Sequence, residues 1–162
     1  MVNINDMRSL VLSHKILLDT SFAMQPGFRG FVQTYASEFR RNPLLVPALV
    51  LWELRKHCFS RDNDFLAQRS LVILSSMISL QIAEVRREQC DGFQDLVLLR
   101  VALQHKLAHS IVVLTNDSLL MRDLRAMWNC ESVTSRKTLE VLKLHRRTQQ
   151  LCVFRPHSWV SR

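Results

Sequence analysis

Short, strongly apolar segments that end in a polar or acidic residue constrain this chain most. The clearest is Ile111–Thr115, IVVLT, which is rich in β-branched residues and bounded by Ser110 and Asn116. Lys15–Asp19, KILLD, has the same character near the other end of the chain. Segments of this kind are typical of strands buried on both faces, and such strands belong to parallel sheets covered by helices.

Amphipathic segments lie between these predicted strands. The spacing predicts helices over 30–39, from Pro47 to about His57, over 93–107, and from Asp117 or Ser118 to Trp128. Further strands are predicted at 44–46, 79–83 and 132–134, a helix capped by Asp62 or Asn63 before the second of these, and a final helix over 136–147. The fold class predicted is therefore α/β, with three α/β/α layers and a central parallel sheet of about five strands.

One domain, residues 1–162, is predicted because the length suits a single core and no Gly, Ser or Pro-rich linker divides the chain. No apolar run approaches the roughly 20 residues that a membrane-spanning helix needs. The first 15 residues lack the pattern of a secretory signal, so we expect an intracellular, cytoplasmic protein. The four cysteines are too widely spaced to indicate a disulfide framework or a zinc knuckle.

Charge points to a polyanionic partner. The chain carries 22 Lys and Arg against 14 Asp and Glu, a formal net charge of +8, and nucleic acid is the natural ligand of such a surface. A solvated helix face is an equally good interpretation of the basic C-terminal segment 136–162. The candidate phosphate-binding residues are Arg40, Arg41, Arg55, Lys56, Arg136, Lys137, Lys143, Arg146 and Arg147.

Four acids stand where an α/β fold collects functional side chains. Asp19 closes the first predicted strand, Glu53 lies in the helix after Pro47, Asp95 opens the run DLVLLRVA, and Asp117 follows VVLTN. Ligands bind outside the carboxyl ends of parallel strands, so Asp19 and Asp117 are expected to face the same crevice. Clustered carboxylates repel each other unless a hard cation such as Mg²⁺ or Mn²⁺ neutralises them.

In its order and spacing of acids the chain resembles the PIN-domain family of nucleases, from about Lys15 to about Thr134. The resemblance implies that Asp19, Asp95 and Asp117 bind Mg²⁺ or Mn²⁺ and that Glu53 is a ligand or holds a metal-bound water. It implies hydrolysis of a phosphodiester, most naturally in RNA with DNA as an alternative, to 5′-phosphate and 3′-hydroxyl products. An antitoxin or other regulatory protein and a homodimer are the partners that such proteins suggest.

Several assignments stay open. Ser21, Thr115 and Asn116 could orient carboxylates and waters, or serve only in turns and caps. Asp91 competes with Asp95, while Asp123 is expected to be an exposed partner of Arg122 or Arg125. The i, i+4 pair His105 and His109 lacks the glutamate of a zinc protease, and the three glycines exclude nucleotide-binding loops.

Three further expectations concern function. Trp52 and Trp128 are expected in the core rather than stacked on bases. A catalytically silent PIN-like module that binds RNA or protein is the main alternative to an enzyme. A phosphotransfer hydrolase with Asp19 as nucleophile is the weaker one, because Ser21 stands where that chemistry usually places a second acid.

Overall fold

The computed structural model describes residues 4–60, 64–87, 94–106, 108–128 and 137–153, and of residues 4–6, 94–96, 106 and 128 the backbone alone. Six strands form one sheet. They are β1 (Lys15–Leu18), β2 (Leu44–Pro47), β3 (Ala83–Arg86), β4 (Ile111–Leu114), β5 (Leu139–Leu144) and β6 (Leu151–Val153). Their order across the sheet is β3-β2-β1-β4-β5-β6, and β6 alone is antiparallel to its neighbour.

Seven helices surround the sheet in the described residues. They are α1 (Ile4–Ser13), α2 (Thr20–Ala23), α3 (Phe28–Phe39), α4 (Ala48–Cys58), α5 (Phe65–Ser79), α6 (Gln94–Lys106) and α7 (Ser118–Trp128). None of them is long and apolar enough to span a membrane. The sequence did not predict α1, and it did not predict α2, which is a single turn.

The core is divided between the two faces of the sheet. On one face Ile16 and Leu18 of β1 pack with buried residues of α1, α3 and α5. On the other face Leu17 packs with buried residues of α6 and α7. Successive residues of one strand therefore enter different layers, as the pleat requires. The predicted α/β class, with a central sheet covered by helices on both sides, is confirmed; the sheet has six strands where about five parallel ones were predicted, and the added β6 is antiparallel.

The predicted helix over 136–147 is wrong. Leu139–Leu144 is instead the strand β5, paired in parallel with β4 through the register Leu114↔Leu142. The leucines of this segment suit helical and extended spacing alike, and the open edge of β4 decides in favour of the strand. A turn over 145–150 then leads into β6, so the basic C-terminal segment is a β-hairpin where the structure describes it. The predicted strand 132–134 lies outside the described residues.

Smaller differences concern boundaries. Residues 79–82 close α5 and its turn, with Gln81 at φ 57, so the third strand starts at Ala83 rather than Ser79. Asp64 caps α5 by accepting bonds from the amides of Leu66 and Ala67, in the role predicted for Asp62 or Asn63, which lie outside the described residues. Pro47 ends β2 and precedes α4 instead of lying within its first turn.

Candidate functional site

Asp19 and Asp117, two of the acids predicted from the sequence, follow the strands at which the strand order reverses. β1 is flanked by β2 on one side and β4 on the other, and Leu18 pairs with Leu114. The residues that follow these two strands, Asp19 and Thr115, are therefore neighbours at the carboxyl edge of the sheet. A crevice at such a reversal is the usual ligand-binding position in open α/β sheets.

Of the three predicted site acids whose side chains the structure describes, Asp19 is the most deeply buried. Its side chain caps α2, and the residue is only 3% exposed. One carboxylate oxygen, Oδ2, accepts a hydrogen bond of 2.7 Å from the hydroxyl of Thr115 and one of 3.3 Å from the amide of Ser21. The hydroxyl of Ser21 donates to the same oxygen. Strand end, helix cap and neighbouring strand thus fix the orientation of this carboxylate.

Burial raises the pKa of the Asp19 carboxyl above its ordinary value of 3.8, and hydrogen bonds from Ser21 and Thr115 counter that effect only in part. Removal from water disfavours the charged form of an acid. A cation beside the carboxylate would favour the charged form again. The electrostatics of Asp19 therefore suit a position that a cation completes.

Thr115 joins Asp19 to Asp117. The Thr115 hydroxyl, which is fully buried, accepts a 3.0 Å hydrogen bond from the amide of Asp117 while it donates to Asp19. Ser21 closes the network, since its hydroxyl lies 3.1 Å from that of Thr115 and accepts a 2.8 Å bond from the amide of Asn116. Ser21 and Thr115 therefore lie in the positions from which they orient a carboxylate.

Asp117 is half-buried and caps α7. Its Oδ1 accepts hydrogen bonds of 2.7 Å from the amide of Leu119 and 3.1 Å from that of Leu120. Because one of its oxygens serves the cap, the orientation of this side chain is tied to the first turn of the helix. The acid predicted to face the crevice beside Asp19 thus lies within two residues of Thr115, which contacts Asp19 directly.

The side chain of Asn116 binds the backbone of β5, although it was considered as a residue that orients carboxylates and waters. Its side-chain amide donates a 2.8 Å hydrogen bond to the carbonyl of Leu144, and its side-chain oxygen accepts a 3.1 Å bond from the amide of Leu144. This pair of bonds fastens the end of β5 beside the end of β4. Asn116 therefore positions the β5–β6 hairpin rather than a carboxylate.

Glu53 and Asp95 complete the predicted set from two helices. Glu53 is half-buried on α4, one turn beyond Leu49, which packs with the hydrophobic cluster that α6 and α7 share. Asp95 is the second residue of α6, and its side chain lies outside the described part of the structure. Asp91, the competing acid, lies outside it as well.

Among the residues whose side chains are described, no group of three or more His, Cys, Asp or Glu is placed to hold a metal ion. That set contains Asp19, Glu53 and Asp117 but not Asp95. The oxygen ligands themselves are of the kind that Mg²⁺ and Mn²⁺ prefer. The observation that fits a cation is the burial of Asp19, which raises the pKa of its carboxyl. Asp19 and Asp117 would both contribute oxygen ligands to such an ion.

The candidate basic residues divide between the two edges of the sheet. Arg146 and Arg147 are exposed in the turn that follows β5, at the same edge as Asp19. Arg40 and Arg41 are exposed between α3 and β2, and Lys137 precedes β5, which places all three at the opposite edge. Lys143 lies in β5, Arg55 and Lys56 are exposed on α4, and Arg136 lies outside the described residues.

The hairpin that carries Arg146 and Arg147 is held in a defined shape. The amide of His145 donates to the carbonyl of Gln150, and that of Gln149 donates to the carbonyl of His145, both at 2.8 Å. The side chain of Gln149 in turn accepts a 2.9 Å bond from the amide of Gly27, the residue before α3. This anchoring of the turn was not predicted, because the segment was assigned to a helix.

Two other predictions meet the structure here. Trp52 is 58% exposed, so its assignment to the core is wrong, whereas the side chain of Trp128 lies outside the described residues. α4 buries Val50 and Leu54 instead, on the side of the helix away from Trp52. Asp123 is exposed as expected, and Arg125 pairs with Glu140 at 3.8 Å.

Neither a protein-family model nor a curated protein matches this sequence.

Proposed function

We propose that this protein is a divalent-metal-dependent endoribonuclease of PIN type, which hydrolyses RNA to products with 5′-phosphate and 3′-hydroxyl ends. The observation that carries the proposal is the buried carboxylate of Asp19, hydrogen-bonded by Thr115 of the next strand at the point where the strand order reverses. An ionised carboxyl in such a position is stabilised by a cation. DNA is the alternative substrate.

Each acid has a role in this proposal. Asp19 and Asp117 would hold Mg²⁺ or Mn²⁺ together with Asp95, and Glu53 would be a further ligand or would orient a water beside the ion. When bound, the ion would supply activation of water and stabilisation of charge on the departing oxygen. Ser21 and Thr115 hold the Asp19 carboxylate in one orientation, and the cap at α7 does the same for Asp117.

Basic residues at the same edge extend the binding surface for RNA. Arg146 and Arg147 are exposed on the hairpin that Asn116 fastens beside the acids. Phosphate contacts of this sort provide affinity without selecting a base sequence. An antitoxin-like regulatory protein and a homodimer stay predictions that rest on the family resemblance.

Two other functions compete with this one. A silent PIN-like module would bind RNA without cleaving it, and the four acids in the expected order argue for the enzyme. A phosphotransfer hydrolase would require the Asp19 carboxylate to attack phosphorus. The hydrogen bonds that Ser21 and Thr115 donate to its Oδ2 reduce the nucleophilicity of that oxygen, and Ser21 is no substitute for the usual second acid.

The test compares cleavage of labelled RNA and DNA oligonucleotides with and without Mn²⁺ by wild type, Asp19→Asn, Asp117→Asn and Asp123→Asn. Asparagine retains the capping ability of aspartate, so both site variants are expected to fold. RNA cleavage should require Mn²⁺ and fall roughly a hundredfold or more in the two site variants, since metal assistance contributes several kcal/mol. Asp123→Asn, on the exposed side of α7, should match wild type.

Each of the other results has a definite meaning. Cleavage that persists in Asp19→Asn contradicts the assignment of the site. RNA binding by wild type with no cleavage under any metal would favour the silent module. A covalent phosphoryl adduct on Asp19 would favour the phosphotransfer hydrolase.

A further inference from the structure

The outward face of α4 carries two exposed aromatic side chains with basic residues between them. Trp52 is 58% exposed, and Phe59, directly after the helix, is 84% exposed. Residues seven positions apart lie on the same side of a helix, here about 10 Å apart at 1.5 Å per residue. Arg55 and Lys56 are exposed between them. The face therefore alternates aromatic, basic and aromatic groups.

These aromatic rings do not serve the core. α4 buries Val50 and Leu54 and packs Leu51 and Cys58 against the same cluster, on the side away from Trp52. The ammonium of Lys56 lies 5.5 Å from the centre of the Trp52 ring, a cation–π distance. An exposed aromatic ring beside basic side chains has the chemistry that stacks on bases and contacts phosphates.

The position of this face relates it to the proposed cleavage site. α4 begins directly after β2, which pairs with β1, so the helix starts at the edge of the sheet where Asp19 lies. Glu53 follows Trp52 in the sequence and lies on the flank between the exposed face and the buried one. A polymer bound against Glu53 would therefore have the Trp52 ring next to it.

We propose that the outward face of α4 binds unpaired bases, with Trp52 and Phe59 stacking on bases and Arg55 and Lys56 contacting phosphates. The inference rests on the proposed nuclease function and locates on α4 the surface that receives the bases of a strand lying beside the proposed cleavage site. In a duplex each base is already stacked between its neighbours, whereas in a single strand it can turn onto an aromatic ring.

Charge favours RNA over the other occupants of an aromatic face. A second copy of the chain packed across a two-fold axis on this face would bring Arg55 and Lys56 towards the same residues of its partner, and juxtaposed like charges oppose association. RNA neutralises these cations and covers the rings at the same time. An acidic protein would do both as well, but it has no reason to lie beside Glu53.

The experiment measures binding apart from cleavage. Full-length Asp19→Asn in EDTA is titrated against a labelled single-stranded RNA and the corresponding duplex at several salt concentrations. Trp52→Ala, Trp52→Phe, Phe59→Ala and the pair Arg55→Ala with Lys56→Ala are added to this background. Leu80→Ala is the matched control, because Leu80 is a 68% exposed apolar residue after α5, where the chain approaches the opposite edge of the sheet.

We expect Trp52→Ala and Phe59→Ala each to weaken single-strand binding roughly 5- to 150-fold, the range for loss of one stacked base. Trp52→Phe should restore most of it. The loss should be the same at every salt concentration, because stacking releases no counterions. The arginine and lysine pair should instead lower the salt slope by about 1.4, at about 0.7 per contact. Duplex binding should be unchanged in Trp52→Ala and Phe59→Ala, and Leu80→Ala should bind both RNAs as tightly as the Asp19→Asn background does.

Single-strand binding that survives Trp52→Ala unchanged would overturn the inference, even if wild type cleaves RNA. Loss of self-association or of binding to an acidic protein in Trp52→Ala, with RNA binding intact, would also overturn it. If wild type has no nuclease activity but its RNA binding depends on Trp52, the stacking surface is supported and the proposed nuclease function is contradicted.

Discussion

The hydroxyl of Thr115 donates a 2.7 Å hydrogen bond to the carboxylate of Asp19, although 96 positions separate the two residues. The same hydroxyl accepts a 3.0 Å bond from the amide of Asp117. One buried side chain thus links the ends of β1 and β4 and relates two acids of the proposed site. The hydroxyl of Thr115 can be removed by a substitution that keeps the size and branching of the side chain.

Thr115→Val replaces that hydroxyl with a methyl group of similar size. It removes both hydrogen bonds and leaves the amide of Asp117 without this acceptor. We expect the free energy of unfolding to fall by about 1–3 kcal/mol and Mn²⁺-dependent cleavage to fall further than the stability loss alone explains. Urea unfolding and cleavage rates at saturating RNA provide the two measurements.

Thr115→Ser retains the hydroxyl and should keep most of the activity. Thr34→Val is the surface control, because Thr34 is exposed and its hydroxyl donates to the carbonyl of Gly30 one turn earlier in α3. Equal effects of Thr115→Val and Thr34→Val would show that the buried hydroxyl has no special role.

The raised pKa of Asp19 makes stability depend on pH in the absence of metal. Burial favours the protonated carboxyl in the folded state. The stability that the protonated Asp19 carboxyl contributes is therefore complete below its pKa in the unfolded chain, near 3.8. That stability is lost as pH rises through the higher pKa of Asp19 in the folded protein. Asp19→Asn has no such loss. In EDTA the stability of this variant should rise relative to wild type as pH increases from about 4 to about 8.

The measurement is urea unfolding of both proteins across that range of pH, with the difference between them plotted. Contributions from all other titrating groups cancel in the difference. A difference between Asp19→Asn and wild type that does not change with pH would exclude an ionised, buried Asp19 in the metal-free fold.

The hairpin arginines should determine part of the salt dependence of RNA binding. In the Asp19→Asn background, Arg146→Ala with Arg147→Ala should reduce the slope of log affinity against log salt by about 1.4. If the two proteins bind equally at 1 M salt, a slope change of about 1.4 over one decade of salt lowers the affinity of the variant at 0.1 M salt by roughly 25-fold. Arg40→Ala with Arg41→Ala removes the same charge at the opposite edge of the sheet and should have little effect. Equal losses in the two pairs would mean that the whole surface, not the hairpin, binds RNA.

Two glycines close together in sequence should respond to alanine in opposite ways. A Cβ on Gly27 would meet Cβ and Oε1 of Gln149, each at 2.9 Å, whereas a Cβ on Gly30, within α3, meets nothing within 4 Å. Gly27→Ala should lower the free energy of unfolding by about 1–3 kcal/mol through this clash. Gly30→Ala should raise it by about 0.5–1 kcal/mol, because alanine is the better helix residue.

Thermal and urea unfolding of the two glycine variants measures both changes. If the clash displaces the hairpin, Gly27→Ala should also weaken RNA binding, in parallel with the arginine variants. A stability of Gly27→Ala equal to that of Gly30→Ala would show that the hairpin adapts freely and is not held by Gln149.

The sequence was sufficient for the elements whose pattern has a single interpretation. β4, all four residues of which are buried, and α6 lie within a residue or two of their predicted bounds. Asp19 and Asp117 follow their strands as predicted, because a strand end is set by local pattern. The expectation that Asp19 and Asp117 face one crevice rested on parallel strands, whose carboxyl ends lie on the same side of a sheet. The direct contact between Asp19 and Thr115 was not predicted, because it depends on β1 and β4 being neighbours.

The C-terminal segment was not predictable in the same way. The leucines of β5 fit a helix and a strand equally, and what decides between them is the hydrogen-bonding edge of β4, which belongs to another part of the chain. Nor does local pattern show which side of α4 faces inward when both sides carry apolar residues. Trp52 was therefore assigned to the core, although the side chains of Val50 and Leu54 already fill the inward face.

Calorimetric titration of Mn²⁺ into metal-free protein tests the central claim most directly, because it asks whether Asp19 takes part in holding a cation. We expect saturable binding to wild type and to Asp123→Asn, and its loss or severe weakening in Asp19→Asn. No binding to wild type, or the same binding in wild type and Asp19→Asn, would contradict the account.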